Sequence, residues 1–538
     1  MEAPQHHDAV VLGAGVSGIY QIKRLTDLGL DAIVLEADED LGGTWYRNRY
    51  PGCRFDSESY TYGYSFSRAL LDEWHWKERF SSQPENLRYL NHVVDRFDLR
   101  RHMRFGCRVV AMRWEEDRRV WQLELADGGR YTARFVVSAM GVLSIPALPR
   151  WEGLATFEGD AFHTHAWPKE PVPLEGRRVG VVGTGATGIQ VIAEIADRVA
   201  ELFVFQRRPN WSTPLNNSPI SEDEMADIRT RYDEIFARCA STHGGFEHLP
   251  ETRRFQVLTA DERRARWDAL YATPGFAIMA SNFPEIFFDE EANREMSAYV
   301  AGRIRERVKD PATAEKLIPR DHGFATQRLP LETGYYEAYN RENVHLIDLS
   351  ETPVERITPK GIRTTAAEYA LDLIVMATGF DAITGAWDRI DVRGAGGLSL
   401  RDRWRDGPST YFGLMAHGFP NLLMVAGPQS VSGSTNFPRA IENGVDWVTR
   451  FLEHAATQGI TRFEAREDAE KEWGEEVVAA QENMLLRRSR GWFTGYNANV
   501  EGHGEGSVRY VAYWGGAPRY RERIARLAEE GYPGVDTA

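Results

Sequence analysis

The sequence predicts an α/β protein with two parallel-sheet domains, the second carrying a helical insertion. Three observations carry this prediction. The pattern Gly-x-Gly-x-x-Gly occurs twice, at Gly13-Ala-Gly15-Val-Ser-Gly18 and at Gly183-Thr-Gly185-Ala-Thr-Gly188. Each copy follows a short apolar run and precedes a segment of helical period, the order strand, tight turn, helix. Two further apolar runs, Val136-Val-Ser-Ala-Met-Gly141 and Ile374-Val-Met-Ala-Thr-Gly379, look alike and end in small residues. The expected architecture is therefore two Rossmann-like dinucleotide-binding domains.

In chain order, Asp8–Leu12 reads as the first buried strand. Gly13 permits a tight turn, Gly15 lets the backbone approach a pyrophosphate, and Gly18 allows helix and strand to pack closely. Val16 and Ser17 open the following helix, whose N-terminus is an anion site. Helical period runs from Ile19 to Leu28, and Gly29 is a helix stop. A second strand, Ala32–Leu35, ends at Glu36. A carboxylate there accepts hydrogen bonds from ribose hydroxyls and repels a 2′-phosphate, so this site suits FAD or NAD rather than NADP.

The second unit starts with the strand Arg178–Val182. Thr184, Gly185, Ala186, Thr187 and Gly188 form its turn and helix start, with Gln190 one position beyond the helical Ile189. The next strand, Leu202–Phe205, ends not in an acid but in Gln206-Arg207-Arg208. A guanidinium matches a phosphate by charge and by bidentate geometry, which points to NADPH. Arg207 is the first choice for that contact, with Arg208 a second ligand or a solvated neighbour. Segment 219–323 is rich in Glu, Arg, Asp and Ala, with helical spacing in Asp261–Tyr271 and Glu290–Lys309. It reads as an insertion. The last third carries glycine-rich loops, including 428–439, and then a helix from about Ile441 to His454.

A net charge of -15 argues against nucleic acid as a partner. The three cysteines, Cys53, Cys107 and Cys239, are far apart and form no CxxC pair. That argues against a disulfide framework, a zinc site and a dithiol redox centre. His6-His7 and His163-Thr-His165 lack the extra ligands a metal site needs, so no metal is expected. No apolar run is long enough to span a membrane and no secretory pattern opens the chain, so the expected location is cytoplasmic.

The stretch between the two glycine patterns narrows the function. Phe157, Gly159, His163, Trp167 and Pro168 reproduce Phe-x-Gly-x-x-x-His-x-x-x-Trp-Pro. This resembles the signature of the Baeyer–Villiger monooxygenases. Related heteroatom monooxygenases carry an aromatic residue and no proline at the end of a similar motif. The resemblance extends over nearly the whole chain. Leu41-Gly-Gly-Thr-Trp45, with Gly43, Thr44 and Trp45, is similar to the Gly-Gly-x-Trp stretch that wraps the flavin. Tyr62 and Val109 join the flavin-side candidates. Arg49-Tyr-Pro-Gly-Cys-Arg-Phe-Asp56 resembles a segment whose Asp lies near the flavin, with Glu58 as the local alternative. Phe324-Ala-Thr-Gln-Arg328 falls where the family has its catalytic arginine, so Arg328 inherits that role. Gln327 stands where the family usually has a lysine that helps bind the 2′-phosphate, which implies weaker selection of NADPH over NADH. Ser489-Arg-Gly-Trp492 resembles a mobile loop whose Trp covers the nicotinamide, and Tyr513-Trp-Gly-Gly516 matches the C-terminal pattern.

The resemblance implies FAD in the first domain and NADPH in the second. It implies a flavin domain in two parts, 1–142 and 384–538, an NADPH domain in two parts, 143–218 and 324–383, and the helical insertion 219–323. The implied reaction is insertion of one atom of O2 beside a ketone carbonyl, through a C4a-peroxyflavin, with NADP+ retained during turnover. Arg328 would stabilise the developing anion and Asp56 would position it. The alternatives are an N- or S-oxygenating flavin monooxygenase and a nucleotide-binding flavoprotein without catalysis. Phe437, Trp492, Phe493 and Tyr496 suggest an apolar ketone of some size. They leave open cyclic, linear, aromatic and steroidal substrates.

Overall fold

The computed structural model describes residues 4–431, 435–503 and 508–538. Residues 432–434 of the 428–439 loop lie outside them. The first sheet has eight strands. Gln5–Leu12 runs at its centre, parallel to Ala32–Leu35 on one side and to Arg130–Ser138 on the other. Ala9, Val10 and Val11 are fully buried, as a strand covered on both faces requires. This strand starts earlier than its apolar run because Gln5, His6 and His7 extend the ladder along Tyr131–Ala133. Val109–Glu115 and Val120–Leu125 form an antiparallel excursion from the sheet. Two late strands join it: Asp391–Arg393 beside Val109–Glu115, and Leu422–Met424 beside Arg130–Ser138.

The second sheet is all parallel, in the order Val344–Asp348, Glu201–Gln206, Arg178–Val182, Leu373–Met376, Asp160–His163. Between Pro214 and Leu331 the described chain contains no strand. It holds the helices Glu222–Thr230, Tyr232–Ser241, Ala260–Ala272, Ala277–Ala280, Glu290–Arg307 and Pro311–Leu317. Asp289 caps the longest of them by accepting the Ala292 N–H, and Thr259 with Glu262 forms a capping box on Ala260–Ala272. The C-terminal helix spans Phe437–Gln458, longer at both ends than its apolar period suggests. Pro438 in its first turn and Gly459, with φ of 66°, set those ends.

The two glycine turns are built alike. Gly13 has φ of 104° and Gly183 has φ of 105°, values that L side chains rarely adopt. A Cβ on Gly13 would lie 2.7 Å from the Ala139 carbonyl oxygen, and one on Gly183 would lie 2.5 Å from that of Ala377. The two small-residue strand ends noted in the sequence are therefore the floors against which the two turns rest.

The crossings between the domains run side by side. Ile383 donates to the Val142 carbonyl at 2.7 Å, Asp381 to Ile145 at 2.8 Å, and Ala147 to Gly379 at 2.9 Å. Segments 142–147 and 379–383 thus form a hydrogen-bonded ribbon.

Candidate active site

One cavity of about 1150 Å³ is lined by both glycine turns. On the first side Gly13, Gly15, Val16, Ser17, Glu36, Gly43, Thr44, Trp45, Tyr62 and Val109 face it. Gly18 does not. A Cβ there would lie 1.8 Å from the Gly13 carbonyl oxygen, so Gly18 works behind the turn by letting the helix close on it. Gly15 and Gly43 meet backbone to backbone, with a Cβ on Gly43 only 3.0 Å from the Gly15 Cα. Both line the cavity without side chains, which fits a pyrophosphate lying against the backbone. Glu36 is buried at the end of its strand. Its carboxylate accepts the Ala14 N–H at 2.6 Å and the Asp38 N–H at 2.8 Å, so it also fastens the turn to the strand. Burial raises the Glu36 pKa, partly offset by the Ala14 hydrogen bond and by Arg47. Trp45 Nε1 donates to the Tyr62 hydroxyl, and Phe55 packs edge-on to Tyr62 at 4.3 Å.

On the second side Gly185, Ala186, Thr187, Gln190, Arg207, Arg208 and Gln327 line the cavity. A Cβ on Gly185 would meet nothing within 4 Å, so the chain leaves free space there for a phosphate. Gly188 lies behind, where a Cβ would be 2.0 Å from the Gly183 carbonyl oxygen. Thr184 also turns away, donating to the Arg208 carbonyl at 3.0 Å. The two arginines differ. Arg208 is half-buried and held: it pairs with Asp321 at 3.5 Å, donates to the Arg490 carbonyl at 3.3 Å and lies over the Tyr496 ring. Arg207 is exposed to the cavity. Gln190 donates to the Arg54 carbonyl and accepts from Tyr50, joining the second-domain helix to the 50–54 turn.

Between the two sides, Arg328 Nη2 donates to Asp56 Oδ1 at 2.7 Å. The guanidinium lies over the Phe276 ring, 4.5 Å from its centroid. Phe276 belongs to the helical insertion, so three distant parts of the chain hold this one cation. Burial raises the Asp56 pKa, and the Arg328 charge pulls it back. Glu58, the rival carboxylate, turns instead to His248, with Glu58 Oε1 2.8 Å from His248 Nε2.

Of the 157–168 stretch only His165 and Ala166 line the cavity; the five signature residues lie behind it. Phe157 packs into the second domain's core beside Trp151 and Leu154. Gly159 passes so close to Asp372 that a Cβ would lie 2.6 Å from its carbonyl oxygen. His163 ends the edge strand opposite Met376. Its Nε2 lies 3.1 Å from the Gly379 carbonyl, and its Nδ1 accepts the His165 N–H at 3.1 Å. Burial lowers its pKa to about 4, which keeps the ring neutral with its proton on Nε2. The Gly379 carbonyl accepts Ala147 as well, so His163 clips the second sheet to the interdomain ribbon. Trp167 is buried, edge-on to Phe162. Pro168 follows it.

The 485–500 loop is docked. Gln327 Nε2 donates to the Arg490 carbonyl at 3.2 Å, and Ser489 donates to the Thr326 carbonyl at 2.8 Å. Trp492 lines the cavity and packs on Phe493 at 4.6 Å. Sequence reasoning missed the insertion's share of the wall: Phe246, His248, Met279 and Phe287 all face the cavity. No local motif marks them, because they meet the site only through tertiary packing.

A family model for flavin-binding monooxygenase-like proteins matches residues 6–217. The chain is 44% identical to a 2-oxo-Δ3-4,5,5-trimethylcyclopentenylacetyl-CoA monooxygenase of Pseudomonas putida, over 99% of this chain and 98% of that one. It is 36% identical to a Baeyer–Villiger monooxygenase of Pseudooceanicola batsensis, over 98% and 95%. The fold superposes on a crystal structure of OTEMO in complex with FAD and NADP with a TM-score of 0.95, at 43% identity and covering 100% of both chains.

Proposed function

The chain belongs to the Baeyer–Villiger monooxygenases, with FAD and NADPH as cofactors, and from that premise we propose how its own residues carry the reaction. The net change is ketone, O2, NADPH and a proton to ester or lactone, NADP+ and water. Bound FAD and NADPH supply the oxygen activation and the hydride. The protein supplies position and charge.

The Arg328 guanidinium stabilises the negative charge that develops on oxygen as the ketone carbonyl is attacked. Asp56 and the Phe276 ring fix where that charge sits. The single observation that carries this reading is the Arg328–Asp56 pair inside the one cavity that both glycine turns share. Glu36 receives the flavin's adenosine ribose, and Arg207 receives the 2′-phosphate of NADPH. Trp492, with the docked loop beneath it, keeps water out while NADP+ stays bound. Phe246, Met279, Phe287 and Phe437 line the remaining wall and favour an apolar ketone. Activity in the cytoplasm belongs to the same proposal. Among the described residues no helix is long and apolar enough to cross a membrane.

The test is Arg328→Ala and Arg328→Lys, with NADPH oxidation and ester formation measured separately. NADPH should still reduce the flavin, while ester formation falls at least about a hundredfold and peroxide is released instead. Ester formation by Arg328→Ala at the parent rate would overturn the assignment.

A further inference from the structure

His248 lines the cavity, in a stretch of the insertion that contributes Phe246, Met279 and Phe287 as well as the polar Thr242, His243 and Asn282. Its Nε2 is committed to Glu58. Among the described residues no group bonds its Nδ1. Glu58 is 3% exposed, and its other oxygen, Oε2, is buried without a partner. A buried carboxylate with a single polar contact needs that contact to be a cation. The charged groups around the imidazole are Glu58, Glu247 and Arg79, and Glu247 is itself bonded to Tyr60. Burial lowers the His248 pKa, but the Glu58 hydrogen bond and the two carboxylate charges outweigh it, and the net shift is upward. With Nε2–H given to Glu58, the second N–H of the imidazolium is left for whatever occupies the cavity.

The position of this donor is set relative to the reacting centre. Asp56, which holds Arg328, and Glu58, which holds His248, are two residues apart, so their Cα atoms are at most about 7 Å apart. Consecutive residues of the insertion brace both pairs. Phe276 lies under the Arg328 guanidinium, and Gly275, with φ of 73°, lies so close to Glu58 that a Cβ would be 2.7 Å from its Oε1.

We propose that His248, held by Glu58, is a specificity-determining residue that hydrogen-bonds a second, uncharged carbonyl on the ketone substrate, an ester, thioester or amide several bonds from the reacting carbon. A charged donor held in place in the cavity wall orients a ligand that presents an acceptor there. A free carboxylate gains nothing there over a neutral carbonyl, because it would meet the carboxylates of Glu58 and Glu247 as well as the imidazolium and Arg79. The inference rests on the ketone-oxygenating function above and names a substrate class within it.

The test uses four matched ketones: methyl 2-oxocyclopentylacetate, its primary amide, the free acid and 2-propylcyclopentanone. Product formation gives kcat/KM for each with the holoenzyme, His248→Phe and Glu58→Gln. The parent enzyme should prefer the ester to both the alkyl ketone and the acid. In His248→Phe the ester-to-alkyl ratio should fall about tenfold or more, the value of a hydrogen bond from a charged donor. Glu58→Gln leaves a neutral imidazole whose Nδ1 accepts rather than donates. It should lose the preference for the ester and keep that for the amide, whose N–H can still donate. If His248→Phe does not retain FAD, this ester–amide split carries the test. An unchanged ester-to-alkyl ratio in His248→Phe, an equal response of ester and amide in Glu58→Gln, or a parent enzyme that favours the acid would each overturn the proposal. Failure of the underlying function looks different: the parent enzyme would oxygenate none of the four and would release peroxide.

Discussion

Replacing Arg207 with Ala should change the choice between the two nicotinamide cofactors and little else. Three side chains could contribute to the 2′-phosphate site, and the structure separates them. Arg208 is committed to Asp321, to the Arg490 carbonyl and to the Tyr496 ring. Gln327 is uncharged and donates to the same Arg490 carbonyl. Arg207 alone among them faces the cavity with its charge uncommitted. A hydrogen bond between charged groups contributes about 1.5–3 kcal/mol. Arg207 is exposed, so solvent screening brings this down to about 1–2 kcal/mol. That corresponds to a fall of about 5- to 30-fold in kcat/KM for NADPH. NADH carries no 2′-phosphate and should not respond. The assay is initial-rate kinetics with each cofactor at saturating ketone, for the parent, Arg207→Ala and Arg208→Ala. Loss of Arg208 frees the docked loop and should weaken both cofactors together. An NADPH-to-NADH ratio that shifts by less than about twofold in Arg207→Ala, against the tenfold scale of a charged contact, would refute this reasoning.

Gln327→Lys adds a cation to the cavity wall that Arg207 also lines and should raise the NADPH-to-NADH ratio about three- to tenfold, read in the same assay. Gly188→Ala drives a Cβ to within 2.0 Å of the Gly183 carbonyl oxygen. Overpacking of about 1–3 kcal/mol should then weaken NADPH binding while flavin content stays normal, checked by titration and absorbance. Burial holds His163, His165 and His503 down at about 4, against a value of 6.5 for the exposed side chain. Between those pH values the unfolded chain binds more protons than the folded one, so stability drops as pH falls from 6.5 towards 4 and levels off below. Melting temperature against pH should show that slope, and His163→Gln should reduce it; an unaltered slope would remove His163 from the account.

Much of this molecule is legible along its sequence, because the repeated unit is local. Strand, glycine turn and helix follow one another within about thirty residues, the size of one βαβ unit, and the contacts that need Gly18 and Gly188 lie inside that unit. Asp56 and Arg328 are legible only through resemblance, since 272 residues separate them and no spacing rule joins them. The insertion is legible as helix but not as wall. The period of Glu290–Arg307 gives its type, whereas the approach of Phe276 to Arg328 and of His248 to Glu58 depends on tertiary packing. The roles of Gly18, Thr184 and Gly188 are legible in kind but displaced. They build the turns from behind and do not touch the cavity. Arg208, which the sequence leaves between ligand and solvated neighbour, lines the cavity and is held there by Asp321 and the Arg490 carbonyl.

The strand Leu422–Met424 pairs with Val136–Ser138, so the sheet begun at Gln5 is finished only 286 residues after Val136. During synthesis at about 5–20 residues per second, that gap lasts roughly 15 to 60 s. For that interval the C-terminal half of Arg130–Ser138 has an open edge, while the second sheet can already close with Leu373–Met376. The domain that starts first on the ribosome is therefore completed last. An unpaired apolar strand edge of this kind invites pairing with other chains. Expression yield should consequently respond to growth temperature and to chaperone supply more than the stability of the finished enzyme would suggest, and chains cut before Leu422 should aggregate even where the second domain folds.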